Sequence, residues 1–71
     1  MDAEGVCRVL SRLAEDNDEY VRRGVAWNEH IPDQCACDIL GKLATDEEEY
    51  VRRGVAENPL WEKCKEAGHG R

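Results

Sequence analysis

The sequence predicts an all-α protein in which two helical hairpins lie side by side and a further helix closes the stack. Three observations predict it. Glu19-Tyr20-Val21-Arg22-Arg23-Gly24-Val25-Ala26 recurs without change as residues 49 to 56. At the same offset of 30, Cys7 falls on Cys37, Leu10 on Leu40, Leu13 on Leu43, Ala14 on Ala44, Asp16 on Asp46 and Asn28 on Asn58. The apolar residues around each block recur at helical spacing. A fixed period of this length signals stacked repeats, each a unit that buries its apolar face only against a neighbour.

The first helix, Glu4 to Glu15, sets Val6, Val9, Leu10 and Leu13 on one stripe with Cys7 and Ala14 beside it. Asp16-Asn17-Asp18-Glu19 has an Asp three residues before a Glu, the capping-box spacing, and predicts the start of a second helix. The apolar face of that helix is narrow: Tyr20, Val21, Gly24, Val25 and Asn28. Gly24 forgoes roughly 1 kcal/mol of helix propensity relative to Ala. Its recurrence as Gly54 predicts a close approach of another backbone.

Asn28 suits a helix end and Pro32 the first turn of the next helix. The third helix is expected from about Pro32 to Thr45, with Ala36, Ile39, Leu40 and Leu43 inward. The fourth starts at the repeated capping box, Asp46 to Glu49, and runs to about Asn58. After Asn58-Pro59 a fifth helix, Leu60 to Ala67, has Leu60 and Trp61 as its main apolar mass, and its polar remainder suits a terminal element with one wet face. Repeat 1 thus covers about 4–29, repeat 2 about 32–58 and a capping helix about 59–67, all in a single domain 1–71. Gly68-His69-Gly70-Arg71 is expected to fray.

With 71 residues, one core supplies only a few kcal/mol. A formal charge of -6 disfavours nucleic acid and anionic membranes as partners. The acidic opening residues and the lack of a long apolar run predict neither a secretory signal nor a membrane span. A cytoplasmic location follows as the default, and with it free thiols or metal ligation for the four cysteines rather than disulfides.

Aligning Pro32 with Pro59 sets Cys64 opposite Cys37, so Cys7, Cys37 and Cys64 are expected at one equivalent position in three successive first helices. Cys35 and Cys37 point about 200° apart on a helix and do not chelate one metal together. A zinc site built from Cys7, Cys37 and Cys64 has to overcome the usual spacing of about 8–10 Å between helix axes. Small buried hydrophobes filling the gap between helices are therefore the leading reading, with disulfide pairing next, and no metal or cofactor is expected.

The strings Leu13-Ala14-Glu15-Asp16 with Val21-Arg22-x-x-Val25-Ala26-x-Asn28, and Leu43-Ala44-Thr45-Asp46 with Val51-Arg52-x-x-Val55-Ala56-x-Asn58-Pro59, resemble the leucine-rich repeat variant. They are similar, more loosely, to HEAT repeats of the kind found in bilin-lyase-like proteins. The match covers about residues 10 to 60 and occurs twice in register. The resemblance implies a short right-handed αα-superhelix. It also implies a structural ladder in which Asp16 with Arg22, and Asp46 with Arg52, bridge neighbouring units. The variant unit is usually shorter and has a second Pro-rich connection, whereas the fuller first helix here moves the chain toward HEAT. Some proteins of the variant class hold an iron–sulfur cluster in a cysteine-rich segment outside the repeats. The cysteines here lie inside expected helices, so the cluster is not carried over.

Nothing in the chain spells out a reaction. His30 sits in a turn and His69 in the tail, neither at motif spacing from a nucleophile. Ser11 is read as solvent-facing. The acidic runs coincide with helix starts, where capping and the macrodipole account for them. No catalytic residue and no small-molecule substrate is expected, and the chain is read as not an enzyme. Arg22-Arg23 and Arg52-Arg53 each follow an acidic run, which favours a ladder or solvated role over phosphate binding.

Tyr20, Arg23 and Trp27 form one helical stripe, matched by Tyr50, Arg53 and Glu57. These six are the candidate partner-binding residues, since Trp, Tyr and Arg anchor interfaces and solenoids commonly bind along one helix row. The expected function is a small non-catalytic adaptor that binds a protein partner or itself. The alternative class is a cysteine-based metal-binding or redox protein, with Zn or Fe–S.

Overall fold

The computed structural model describes residues 2–66. They form five helices: α1 (Ala3–Leu13), α2 (Glu19–Ala26), α3 (Asp33–Leu43), α4 (Glu49–Glu57) and α5 (Pro59–Glu66). The expected fraying at 68–71 and the last residue of the fifth helix, Ala67, lie outside the described residues. Helices α1, α3 and α5 pack in sequence as one layer, and α2 against α4 as a second. Each second-layer helix also touches the first-layer helices before and after it, so the chain zigzags between layers.

The helix ends follow from local chemistry. Asp2 caps α1 by accepting from the Gly5 amide at 2.8 Å, and Asp18 caps α2 by accepting from the Tyr20 amide at 2.8 Å. The capping-box reading is therefore corrected: the cap is Asp18, while Asp16 lies two residues before it and accepts the Asp18 amide at 2.8 Å. Asp46 repeats that turn by accepting the Glu48 amide at 2.9 Å, and Glu48 occupies the capping place of α4 without a side-chain bond. An Asp carboxylate that takes a nearby amide competes with continued helix, which ends α1 and α3 shortly before these turns. Pro32 is the residue just outside α3 rather than within its first turn, whereas Pro59 opens α5. At that first position its missing N–H costs no intrahelical bond.

The core lies between the layers and is centred on α3 and α4. Leu40, Leu43, Val51 and Val55 are at most 1% exposed. Full burial of such side chains is worth about 1.5–3 kcal/mol each. Ala14, Val25, Ala26, Ile31, Ala36 and Ile39 complete the cluster, and Leu10, Leu60 and Trp61 pack on its margin. Ile31 was not among the expected inward residues; the turn between α2 and α3 carries it into the core. Val9 and Leu13 depart in the other direction. They are 43% and 36% exposed, while their counterparts Ile39 and Leu43 are 3% and 1%. The α1 stripe is thus split, because α3 covers only one side of α1 and no described residue covers the other.

All four cysteines are paired, Cys7 with Cys35 and Cys37 with Cys64, at Cα separations of 6.0 and 5.5 Å. This corrects the expectation of free thiols or metal ligands, and the set Cys7, Cys37 and Cys64 does not converge on one point. The near-opposite directions of Cys35 and Cys37 are the reason: one faces α1, the other α5, so α3 is stapled on both sides. Cys64 plays toward Cys37 the part that Cys35 plays toward Cys7. In a chain this short, each cross-link of this kind contributes about 2–4 kcal/mol.

Candidate functional site

The surface that gathers most of the expected binding residues is the outer edge of α2 and α4. Tyr20 and Tyr50 are 68% and 53% exposed. The Arg23 guanidinium lies between their rings, 5.0 Å from the Tyr20 centroid and 4.8 Å from that of Tyr50. Arg53 continues the row at 5.4 Å from the Tyr50 ring and pairs with Glu49 at 3.2 Å. The result is a ridge of alternating tyrosine and arginine. Exposed cation–π contacts of this type are worth about 0.5–1 kcal/mol each. They also hold long side chains in place, so less freedom is lost when a partner binds.

Trp27 stands apart from that row. A Cβ built on Gly54 would lie 2.6 Å from the indole Nε1 and 2.7 Å from Cδ1, so the Trp27 ring fills the space over Gly54. The expected close backbone approach is corrected accordingly: a side chain crowds Gly54, and no atom of the described residues outside the helix's own backbone lies within 4 Å of a Cβ at Gly24. Trp27 remains 44% exposed. Glu57, its counterpart, is exposed on the last turn of α4.

Beneath the ridge two polar clamps join the repeats. Arg22 donates through Nη1 to the Asp16 carbonyl at 2.7 Å and through Nε to the Asp46 carboxylate at 2.8 Å. The carboxylate link thus runs from Arg22 to Asp46, across the repeats, and Asp16 meets Arg22 only through its main chain. Arg52 repeats the main-chain half, donating to the Asp46 carbonyl at 2.7 Å. Burial pushes the Asp46 carboxyl up, but the hydrogen bonds from Arg22 and the Glu48 amide, with the charges of Arg22 and Arg52, hold it below the usual carboxylate range. The Arg22 guanidinium is raised, chiefly by its hydrogen bond to Asp46. Close by, the Glu19 carboxyl holds that of Glu48 above its ordinary value.

The second clamp is Asn58, 3% exposed. Its Nδ2 donates to the carbonyls of Ala26 at 2.9 Å and Asn28 at 2.8 Å, and its Oδ1 accepts the Leu60 amide at 2.9 Å. Sequence reasoning treated Asn28 and Asn58 as helix ends. The recurrence of Asn at an offset of 30 was the available signal for a further role.

Chemistry elsewhere is sparse. Ser11, expected at the solvent side, is half-buried and lines a cavity of about 70 Å³ with Ala14, Asp38, Ile39 and Lys42. Ligand pockets for small molecules usually run from about 300 to 1,000 Å³. Lys42 bridges to Glu15 beside it, and that hydrogen bond lowers the Glu15 carboxyl. His30 is exposed, and His69 lies outside the described residues. No group of three or more His, Cys, Asp or Glu is arranged to hold a metal ion among the described residues. No described helix is long and apolar enough to cross a membrane.

No family model matches the chain, and neither a curated protein nor a solved structure is similar enough to it to show kinship.

Proposed function

We propose that this chain is a small non-catalytic helical-repeat module, a short right-handed αα-superhelix of two hairpins and a capping helix, that binds a protein partner along the ridge of α2 and α4. The observation that carries the reading is the arginine–tyrosine row: two largely exposed tyrosines held in register by the guanidinium of Arg23. Tyr and Arg are over-represented among residues that dominate binding energy, and rings fixed in advance lose little freedom on contact. Arg22 is tied to Asp46 and Arg53 to Glu49, which with the formal charge of -6 is in keeping with a protein partner rather than nucleic acid.

The alternative reading, a cysteine-based metal-binding or redox protein, loses ground because disulfide sulfurs are not thiolate ligands. The same pairing weighs against the reducing cytoplasm expected above, since such bonds persist chiefly in oxidising compartments. The test is affinity capture with the wild-type chain beside Arg23→Ala and Tyr50→Ala variants, followed by quantitative mass spectrometry. A partner retained by the wild type and lost from both variants supports the reading. Identical partner sets for all three would discard the ridge as the binding surface.

A further inference from the structure

The contact between the two repeats is an interface cut in half at the start of the stack. On the repeat 2 side, Ile39, Leu43, Asp46, Val51, Gly54 and Asn58 receive repeat 1. Thirty residues earlier stand Val9, Leu13, Asp16, Val21, Gly24 and Asn28, identical at five of these positions and aliphatic at the other, where Val9 matches Ile39. All but Asp16, half-buried like Asp46, are more open than their counterparts. Val9 is 43% exposed against 3% for Ile39, Leu13 36% against 1% for Leu43, Gly24 is exposed where Gly54 is buried, and Val21 and Asn28 are half-buried where Val51 and Asn58 are buried.

The internal interface also shows what such a surface receives. Repeat 1 presents Arg22 to the Asp46 carboxylate, Ala26 to the flank of Gly54, the Trp27 indole to the space over Gly54, and main-chain carbonyls to the Asn58 amide. At the outer end the Asp16 carboxylate keeps the same turn, by accepting the Asp18 amide, but meets no guanidinium among the described residues. Among the described residues nothing outside the helix's own backbone lies within 4 Å of the place where Gly24 would carry a side chain. We infer that the α1–α2 end is a docking face for a helix of another polypeptide, one carrying Arg-Arg-x-x-Ala-Trp and packed with an apolar companion helix as α2 is with α1.

A second copy of this chain is a poor occupant. The corresponding donor surface of a second copy lies on α4, where Glu57 replaces Trp27. In that copy α5 stands toward α3 and α4 as α3 stands toward α1 and α2, so it fills the place that the incoming α1 needs. The Cys37–Cys64 bond holds it there. The repeat interface is therefore closed at the α5 end and open at the α1 end. Glu15 and Glu19 turn toward Lys42 and Glu48 of repeat 2, so at the open end it is the Asp16 carboxylate that favours an arginine, as Asp46 takes Arg22.

The inference rests on the repeat equivalence and not on the ridge. It is tested with a fluorescein-labelled peptide of residues 18–29, locked as a helix by a side-chain cross-link, titrated into the full chain. The same peptide carrying Trp27→Glu is the comparison. Saturable binding is expected, weakened about tenfold by Trp27→Glu in the peptide and by a similar factor by Gly24→Leu in the chain. Gly24→Leu places its side chain in open space and keeps the fold, which circular dichroism checks. Amide shifts are expected in α1 and α2, and Arg23→Ala in the chain is expected to leave peptide affinity unchanged, which separates this face from the ridge. Binding that survives Gly24→Leu, or shifts confined to α4 and α5, would overturn the proposal. So would sedimentation showing a dimer of the chain that Leu13→Glu returns to monomer, because the occupant would then be a second copy.

Discussion

Helices α2 and α4 share eight consecutive residues, yet the same letters meet different fates. Ala26 is fully buried and Ala56 exposed; Gly24 is exposed and Gly54 buried; Val21 is half-covered while Val51 is sealed. The difference is one of sides. Helix α2 has its neighbour on the face that carries Ala26, and α4 has its neighbour on the face that carries Gly54. The same eight residues therefore carry two faces, and the helices packed beside each copy decide which is covered. At the last turn the sequence itself breaks the symmetry, with Trp27 over a neighbour and Glu57 facing outward.

Removing one disulfide by paired Cys→Ser substitution tests the two ends of the stack with the largest effect. The bonds span 28 and 27 residues, so each pair, Cys7 with Cys35 or Cys37 with Cys64, is expected to cost about 3 kcal/mol in urea unfolding. Near-equal losses would show that the staples act alike on the open and the closed end. A much smaller loss for one pair would mark that end as held by packing alone.

The asparagines come next. Asn58→Ala removes three hydrogen bonds in a buried setting and leaves two main-chain carbonyls wanting, an expected loss of about 2–3 kcal/mol. Asn28→Ala removes one exposed bond to the His30 amide and is expected to cost about 0.5–1 kcal/mol. Equal losses would break the comparison between the buried and the open face.

The glycines should differ in sign. Gly24→Ala is expected to stabilise by up to about 1 kcal/mol through helix propensity, because its new methyl meets nothing. Gly54→Ala drives the same methyl into Trp27 and against Ala26, and is expected to destabilise by about 1 kcal/mol after the propensity gain is offset. Thermal melts of the two variants decide it; two upward shifts would mean that the indole simply moves aside.

The smallest effect concerns acid. The folded Asp46 carboxyl titrates below its unfolded counterpart, so its stabilising contribution is full above the unfolded pKa of about 4 and is lost as pH falls through the lower folded value. Asp46→Asn, or Arg22→Gln, should flatten the stability profile in that window and leave its shape above it unchanged. Urea midpoints collected from neutral pH down to the acid limit provide the check. Glu48 has the opposite sign, since it is raised by Glu19 and its ionisation costs stability as pH rises through it.

Much of this architecture was legible before any coordinates. The exact recurrence of residues 19–26 and the leucines at an offset of 30 set the number and order of the helices, and Asp-rich turns and prolines placed their ends within a few residues. The candidate ridge was legible in part. Tyr20 and Arg23 lie three residues apart, so one helix suffices to align them, but the contact of Arg23 with Tyr50 requires the second helix in place. The preference for thiols over disulfides was read from an assumed compartment, and sequence distance gave no sign that Cys7 approaches Cys35 rather than Cys37.

What the sequence alone determined is whatever acts within a turn or two of chain: helical periodicity, caps, breaks and the existence of a repeated unit. Tertiary structure decided which of two identical faces is covered, which cysteines meet, that Arg22 reaches the carboxylate of Asp46, and that Asn58 ties the repeats together. The physical reason is range. Main-chain hydrogen bonding and propensity are local, whereas burial, cross-linking and pairing between repeats depend on which helix stands beside which, and two copies of one text leave that open until they pack.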